Sequence, residues 1–96
     1  MFTTVLEGYD VEANPESFRK TFVEFYNQEI ADFDIGKIAE SDVYIVWFCF
    51  ILGNAKALIS TTRPDGMYYE LTYNINKKEL YIDMYKKFKH CACKIK

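Results

Sequence analysis

Residues 43–52, VYIVWFCFIL, contain no charge in ten positions. A helix crossing a bilayer needs about 20 apolar residues, so this run is too short to be one. It is rich in β-branched and aromatic side chains, which favours a strand. Strict alternation would put Val43, Ile45, Trp47, Cys49 and Ile51 on one face, and Tyr44, Val46, Phe48, Phe50 and Leu52 on the other. A strand that is apolar on both sides is normally covered on both sides. The run therefore reads as the central strand of the fold, and the rest of the chain has to supply its covers.

Upstream, Asn14-Pro15-Glu16 has the chemistry of a helix start: a capping amide, a proline suited to the first turn and an acid at the positive end of the dipole. Phe18, Phe22, Phe25, Tyr26, Ile30 and Phe33 follow at spacings of three and four, one apolar stripe on a helix over 14–33. Its opposite side carries Arg19, Lys20, Glu24, Gln28 and Asp32. Gly36 ends the pattern, Ile35 and Ile38 are expected to plug the base of the core, and Ser41-Asp42 marks the turn into the long strand. Residues 1–13 read as an arm or an edge strand, with the apolar start at Phe2–Leu6.

Downstream, Gly53-Asn54 is a hairpin signal and Ala55–Thr62 a second strand. Arg63-Pro64-Asp65-Gly66 is a tight turn. Met67–Asn74 alternates, with Met67, Tyr69, Leu71 and Tyr73 on one face. After a polar turn, Glu79–Tyr85 alternates again, with Leu80, Ile82 and Met84 inward. The expectation is a single α+β domain of 96 residues: one N-terminal amphipathic helix packed on a four- to five-stranded antiparallel meander over 43–86, then a basic Cys/His tail over 87–96. One helix covers one sheet face. The other would present Tyr68, Tyr81 and Tyr85 with one apolar side of the 43–52 strand, a patch of the kind that marks an interface.

Charge is polarised along the chain. Residues 1–42 hold ten acidic and three basic side chains, a formal −7, whereas residues 43–96 hold four and nine, a formal +5. The start, MFTTVLEGYD, lacks the basic region and long apolar run of a secretion signal, so an intracellular protein without a membrane span is expected. Three cysteines are an odd number and argue against a disulfide framework. Three of the four Cys/His residues cluster as His90-Cys91-Ala92-Cys93, and Cys49 lies on the long strand. Thiolate and imidazole are ligands that zinc prefers, so Cys49, His90, Cys91 and Cys93 form a candidate site for one structural zinc ion that would staple the tail to the sheet. The competing reading is a buried Cys49 and two bystander thiols in the tail.

Catalytic patterns are missing. No nucleophile elbow, phosphate-binding loop or dinucleotide fingerprint occurs, and the lone histidine is the immediate neighbour of Cys91, where extended side chains diverge. An enzyme is not expected. Tyr68, Tyr81 and Tyr85 beside Lys86, Lys87 and Lys89 have the ingredients of a single-stranded nucleic-acid binder, but a pI near 5.3 argues against direct nucleic-acid contact.

From residue 41 onward the chain resembles small phage and prophage proteins of Gram-positive bacteria, streptococci among them. The residues that carry the likeness are DVYIVWFC (42–49), KALISTT (56–62), DGMYYELTYN (65–74) and KKELYIDMYKKF (77–88). The resemblance implies a protein acting in the cytoplasm of a host bacterium by binding and disabling a host protein. The leading expectation is an anti-CRISPR inhibitor of a type II RNA-guided DNA nuclease that blocks guide or target DNA engagement. Such nucleases are strongly basic around their nucleic-acid channel, and the acidic side of the helix, with Glu16, Glu24, Glu29 and Asp32, is the expected complement. The alternative is a homodimeric accessory or regulatory protein that buries the open sheet face against itself.

Overall fold

A computed structural model describes residues 6–96. Helix α1 spans Pro15–Phe25 and runs on into a π-helical turn at Tyr26–Ile30. A 3-10 turn at Glu40–Asp42 leads into four strands: β1 Val43–Ile51, β2 Asn54–Thr61, β3 Met67–Asn74 and β4 Glu79–Lys86. The strands form one antiparallel sheet in chain order, β1-β2-β3-β4, with the helix on one side. The expected α+β architecture is the observed one.

The start of the helix is chemically fixed. Asn14 Oδ1 accepts the Ser17 N–H at 2.8 Å, and Ser17 Oγ accepts the Glu12 N–H at 2.7 Å. The two side chains thus satisfy backbone donors on either side of the helix entry. Its end comes earlier than periodicity predicts. The apolar stripe extends to Phe33 in the sequence, but helical structure stops at Ile30 and Phe33 is fully exposed. The reason is Asp32, whose Oδ1 accepts the N–H groups of Asp34 and Ile35 at 2.8 and 2.7 Å. That local turn competes with helix continuation. The Asn27 amide then brackets the returning chain, donating to Ile38 O and accepting from Ile38 N at 2.9 and 2.8 Å. Ile38 enters the core as expected, whereas Ile35 stays exposed.

β1 departs from the reading of its sequence in two ways. It is an edge strand, paired with β2 alone, and not the central one. It also carries a bulge: Ile45 pairs with Ile59 and Trp47 with Leu58, which leaves Val46 without a partner. One unpaired residue shifts the alternation by one position. Val43 and Ile45 share a face with Phe48 and Phe50 opposite the inward residues Thr61, Ile59, Ala57 and Ala55, while Tyr44, Trp47, Cys49 and Ile51 lie on the other face. The sets given by strict alternation are therefore each split at Val46.

The core explains the arrangement. Phe18, Phe22 and Tyr26 of the helix pack on Val43, Ala55, Ala57, Ile59, Tyr69 and Leu71. Ala55 and Ala57 leave room above β2 for the helix aromatics. Phe18 meets Phe48 edge-on with ring centroids 5.3 Å apart, and Phe22 approaches Tyr69 at 4.7 Å. The end of β4 lies beyond this cover, since Met84, expected inward, is about half exposed. Of the N-terminal segment, residues 1–5 lie outside the described residues. Residues 6–13 form no strand and follow the helix instead: Thr21 Oγ1 donates to Asp10 O at 2.6 Å, and the Tyr9 hydroxyl to Gln28 Oε1 at 2.9 Å.

The hairpin turn between β1 and β2 is Leu52-Gly53, one residue earlier than the Gly53-Asn54 signal suggests. Both residues have positive φ, +49° and +79°. This is the two-residue geometry that fits the twist of paired strands and that favours Asn-Gly. A leucine there is conformationally costly. Leu52→Asn is predicted to stabilise the fold by about 1 kcal/mol, read as a Tm rise of ~4–8 °C for a domain of this size.

Burial pushes the Tyr69 hydroxyl up to about 12, with Asp65 and Tyr26 adding in the same direction and Arg63 opposing. Its ionisation is thus delayed relative to an unfolded chain, whose tyrosines titrate near 10. The corresponding stability is fully present below pH 10 and is lost as pH rises toward 12. Denaturant titrations between these limits should show stability falling with pH, with a shallower fall in Tyr69→Phe.

Candidate functional site

The sheet face away from the helix is assembled by register. Trp47, Leu58, Glu70 and Asp83 form one row across the four strands. Cys49, Lys56, Thr72 and Tyr81 form the next, and Ile51, Asn54, Asn74 and Glu79 the one after. Tyr68 and Tyr85 face each other across β3 and β4. Antiparallel pairing and period-two alternation bring these side chains together from residues far apart in sequence.

Two aromatic ends flank a polar middle. On the β1 side Tyr44, Trp47 and Ile51 are exposed, with Trp47 at 39%. On the β4 side Tyr68 and Tyr85 are stacked, with ring centroids 5.3 Å apart and planes 17° apart, and Tyr81 lies four residues before Tyr85 on the same face of β4. Between them Lys56 Nζ meets Glu70 Oε1 at 3.4 Å, a half-buried ion pair that ties β2 to β3. Leu58 supplies the apolar floor beside it. The Tyr81 hydroxyl donates to Glu79 Oε2 at 3.3 Å. Its pKa is raised above 10 by desolvation and then by the Glu79 charge and hydrogen bond.

The strand charges on this face are Lys56 against Glu70, Glu79 and Asp83. Aromatic side chains with a few polar groups among them are the composition of protein-binding surfaces. Tyr68, Tyr81 and Tyr85 lie on one face of the sheet, with Asp83 between Tyr81 and the Tyr68–Tyr85 pair. Tyr44 and Trp47 join them through the bulge, which nothing in the residue pattern of 43–52 announces.

The acidic helix residues are not one patch. Glu16 is paired with Lys20 at 3.7 Å, and Asp32 lies past the helix with its carboxylate engaged by backbone. Glu24 and Glu29 remain exposed. They lie near Tyr9, whose pKa is raised by burial and then by their two charges.

The structure does not bring the candidate zinc ligands together. Cys49 stands on β1, while His90, Cys91 and Cys93 follow β4 at the opposite edge of the sheet, about 14 Å away at ordinary strand spacing. Among the described residues no group of three His, Cys, Asp or Glu side chains is set to hold a metal ion. All three thiols are exposed, which also corrects the expectation of a buried Cys49. Among the described residues no helix is long and apolar enough to cross a membrane.

Residues 15–95 match the model of a family described as a family of unknown function (DUF6275). No curated protein and no solved structure matches the chain.

The thiol geometry has a direct test. Cys49, Cys91 and Cys93 should all react with a small maleimide in the native protein, at rates that equimolar zinc leaves unchanged. Joint protection of the three by zinc would restore the four-ligand site.

Proposed function

We propose that this chain, which belongs to the family of unknown function DUF6275, is a non-catalytic binding protein that engages another protein through the open face of its sheet. The observation that carries this reading is the exposed aromatic surface built from Tyr44, Trp47, Tyr68, Tyr81 and Tyr85 around the Lys56–Glu70 pair. Tyrosine and tryptophan are enriched among the few desolvated residues that carry most of the binding energy of protein interfaces.

The specific form of the proposal follows from the resemblance to phage proteins. The partner would be a type II RNA-guided nuclease in the cytoplasm of a host bacterium, and binding would block its guide or target DNA. The anionic strand charges Glu70, Glu79 and Asp83 suit the basic surfaces of such an enzyme. Glu24 and Glu29 add negative charge on the helix side.

A DNA cleavage assay with purified nuclease and guide, with and without this protein, tests the reading. Cutting should fall as the protein is added, and Trp47→Asp or Tyr85→Asp should weaken inhibition at least tenfold, the effect of losing about 1.4 kcal/mol of contact. Undiminished cutting at large excess rules out the nuclease. Equal inhibition by both variants rules out the open face as the contact.

A further inference from the structure

The two edges of the sheet are unlike. β4 alternates with charge, carrying Glu79, Asp83 and Lys86, and charged side chains are a common means of keeping an edge from pairing. β1 has no charge and no proline along its length. Among the described residues no strand pairs with its outer side. Its one irregularity is the bulge at Val46, after which 47–51 pairs regularly with 58–54. The free edge is also bordered by apolar side chains above and below. Phe50 is 65% exposed on the helix side, beyond the reach of the helix, and Ile51 is half exposed on the open side. Leu52 is 95% exposed at the tip.

We propose that β1 is a self-association edge, at which β1 of a second copy adds antiparallel to form one eight-stranded sheet across a two-fold axis. A second copy fits for two reasons. Self-pairing sets each residue against the same strand, and a strand without charge meets no like charge in any register. The regular stretch 47–51 is centred on Cys49, so two-fold pairing about that residue sets Trp47 against the partner's Ile51 and Phe48 against the partner's Phe50. These are the aromatic–aliphatic and aromatic–aromatic pairs that stabilise sheets. The area is that of a weak, concentration-dependent dimer: a whole aromatic side chain offers roughly 150–250 Å², and the edge-facing parts of Trp47, Phe50, Ile51 and Leu52 give less than the ~800 Å² per partner of a standard interface.

Closure follows from the difference between the edges. An interface that uses the same strand on both copies is complete at two. The charged β4 edges lie at the outer ends of the joined sheet, where they disfavour further growth. Both open faces stay on one side of that sheet, so their aromatic surfaces become one platform. The two readings share Trp47 but are tested apart, the nuclease reading by cleavage and this one by the sedimentation of Phe50 and Ile51 variants.

Sedimentation equilibrium over a range of concentrations, with circular dichroism to verify folding, is the test. The apparent mass should rise toward twice the chain's 11.3 kDa as concentration increases. Phe50→Lys should raise the dissociation constant roughly thirtyfold or more, as expected when a central anchor is lost. Ile51→Lys, on the solvated side, makes the same test if Phe50→Lys impairs folding. Tyr81→Lys, on the far strand, should leave the dimer intact. A wild-type chain that stays monomeric to its solubility limit overturns the proposal. So does a dimer that survives both β1 lysines, one that is lost in Tyr81→Lys, or open-ended assembly beyond two copies.

Discussion

The unpaired Val46 decides what each side of β1 meets. Ahead of it Val43 and Ile45 face the helix, and after it Phe48 and Phe50 do. Phe48 can therefore reach Phe18 edge-on, and Trp47 is turned outward to the face that the helix leaves bare. Without the bulge, Trp47 and Cys49 would point into the helix layer above β1, and Phe48 would be lost from the core. A single extra residue in one strand sets both the packing of the helix and the composition of the exposed face.

The second constraint is that one helix covers one face. Its aromatic stripe is centred on Phe18, Phe22 and Tyr26, which fit over the two alanines of β2 and reach Tyr69 and Leu71 on β3. This arrangement accounts for the core, and it leaves the opposite face of all four strands to solvent. The residues 6–13 do not relieve that exposure, because their hydrogen bonds go to Gln28, Ser17 and Thr21 on the helix side. The tail does not relieve it either, since 87–96 is exposed throughout. The proposed protein contact and the proposed self-association both answer to this uncovered apolar surface.

Most of the fold was legible because its signals are local and periodic. The cap at Asn14, the alternation in Met67–Asn74 and the turn at Pro64-Asp65-Gly66 each act over a few residues, and they appear where the sequence puts them. The misreadings have physical causes of a different kind. A bulge is a property of a strand pair, so VYIVWFCFIL alone could not reveal it. The uncharged run suggested a central strand, yet position in a sheet depends on connection order, and a meander places its first strand at an edge. Phe33 fits the helical stripe but loses to the carboxylate of Asp32. The three tyrosines of the open face were readable from alternation, while Tyr44 and Trp47 became visible as their neighbours only with the register. The clustering of His90, Cys91 and Cys93 in sequence gave no information about the distance to Cys49, which the strand order makes large.

The phase change in β1 links the core, the open face and the free edge. Denaturant unfolding of Trp47→Ala and Phe48→Ala in dilute solution measures it directly. The bulged strand predicts a loss of about 2–3 kcal/mol for Phe48→Ala, which leaves a gap against Phe18, and less than ~1 kcal/mol for Trp47→Ala. The opposite order, with Trp47 the costly truncation and Phe48 the cheap one, would mean that β1 alternates without interruption, and would contradict the assignment of the open face.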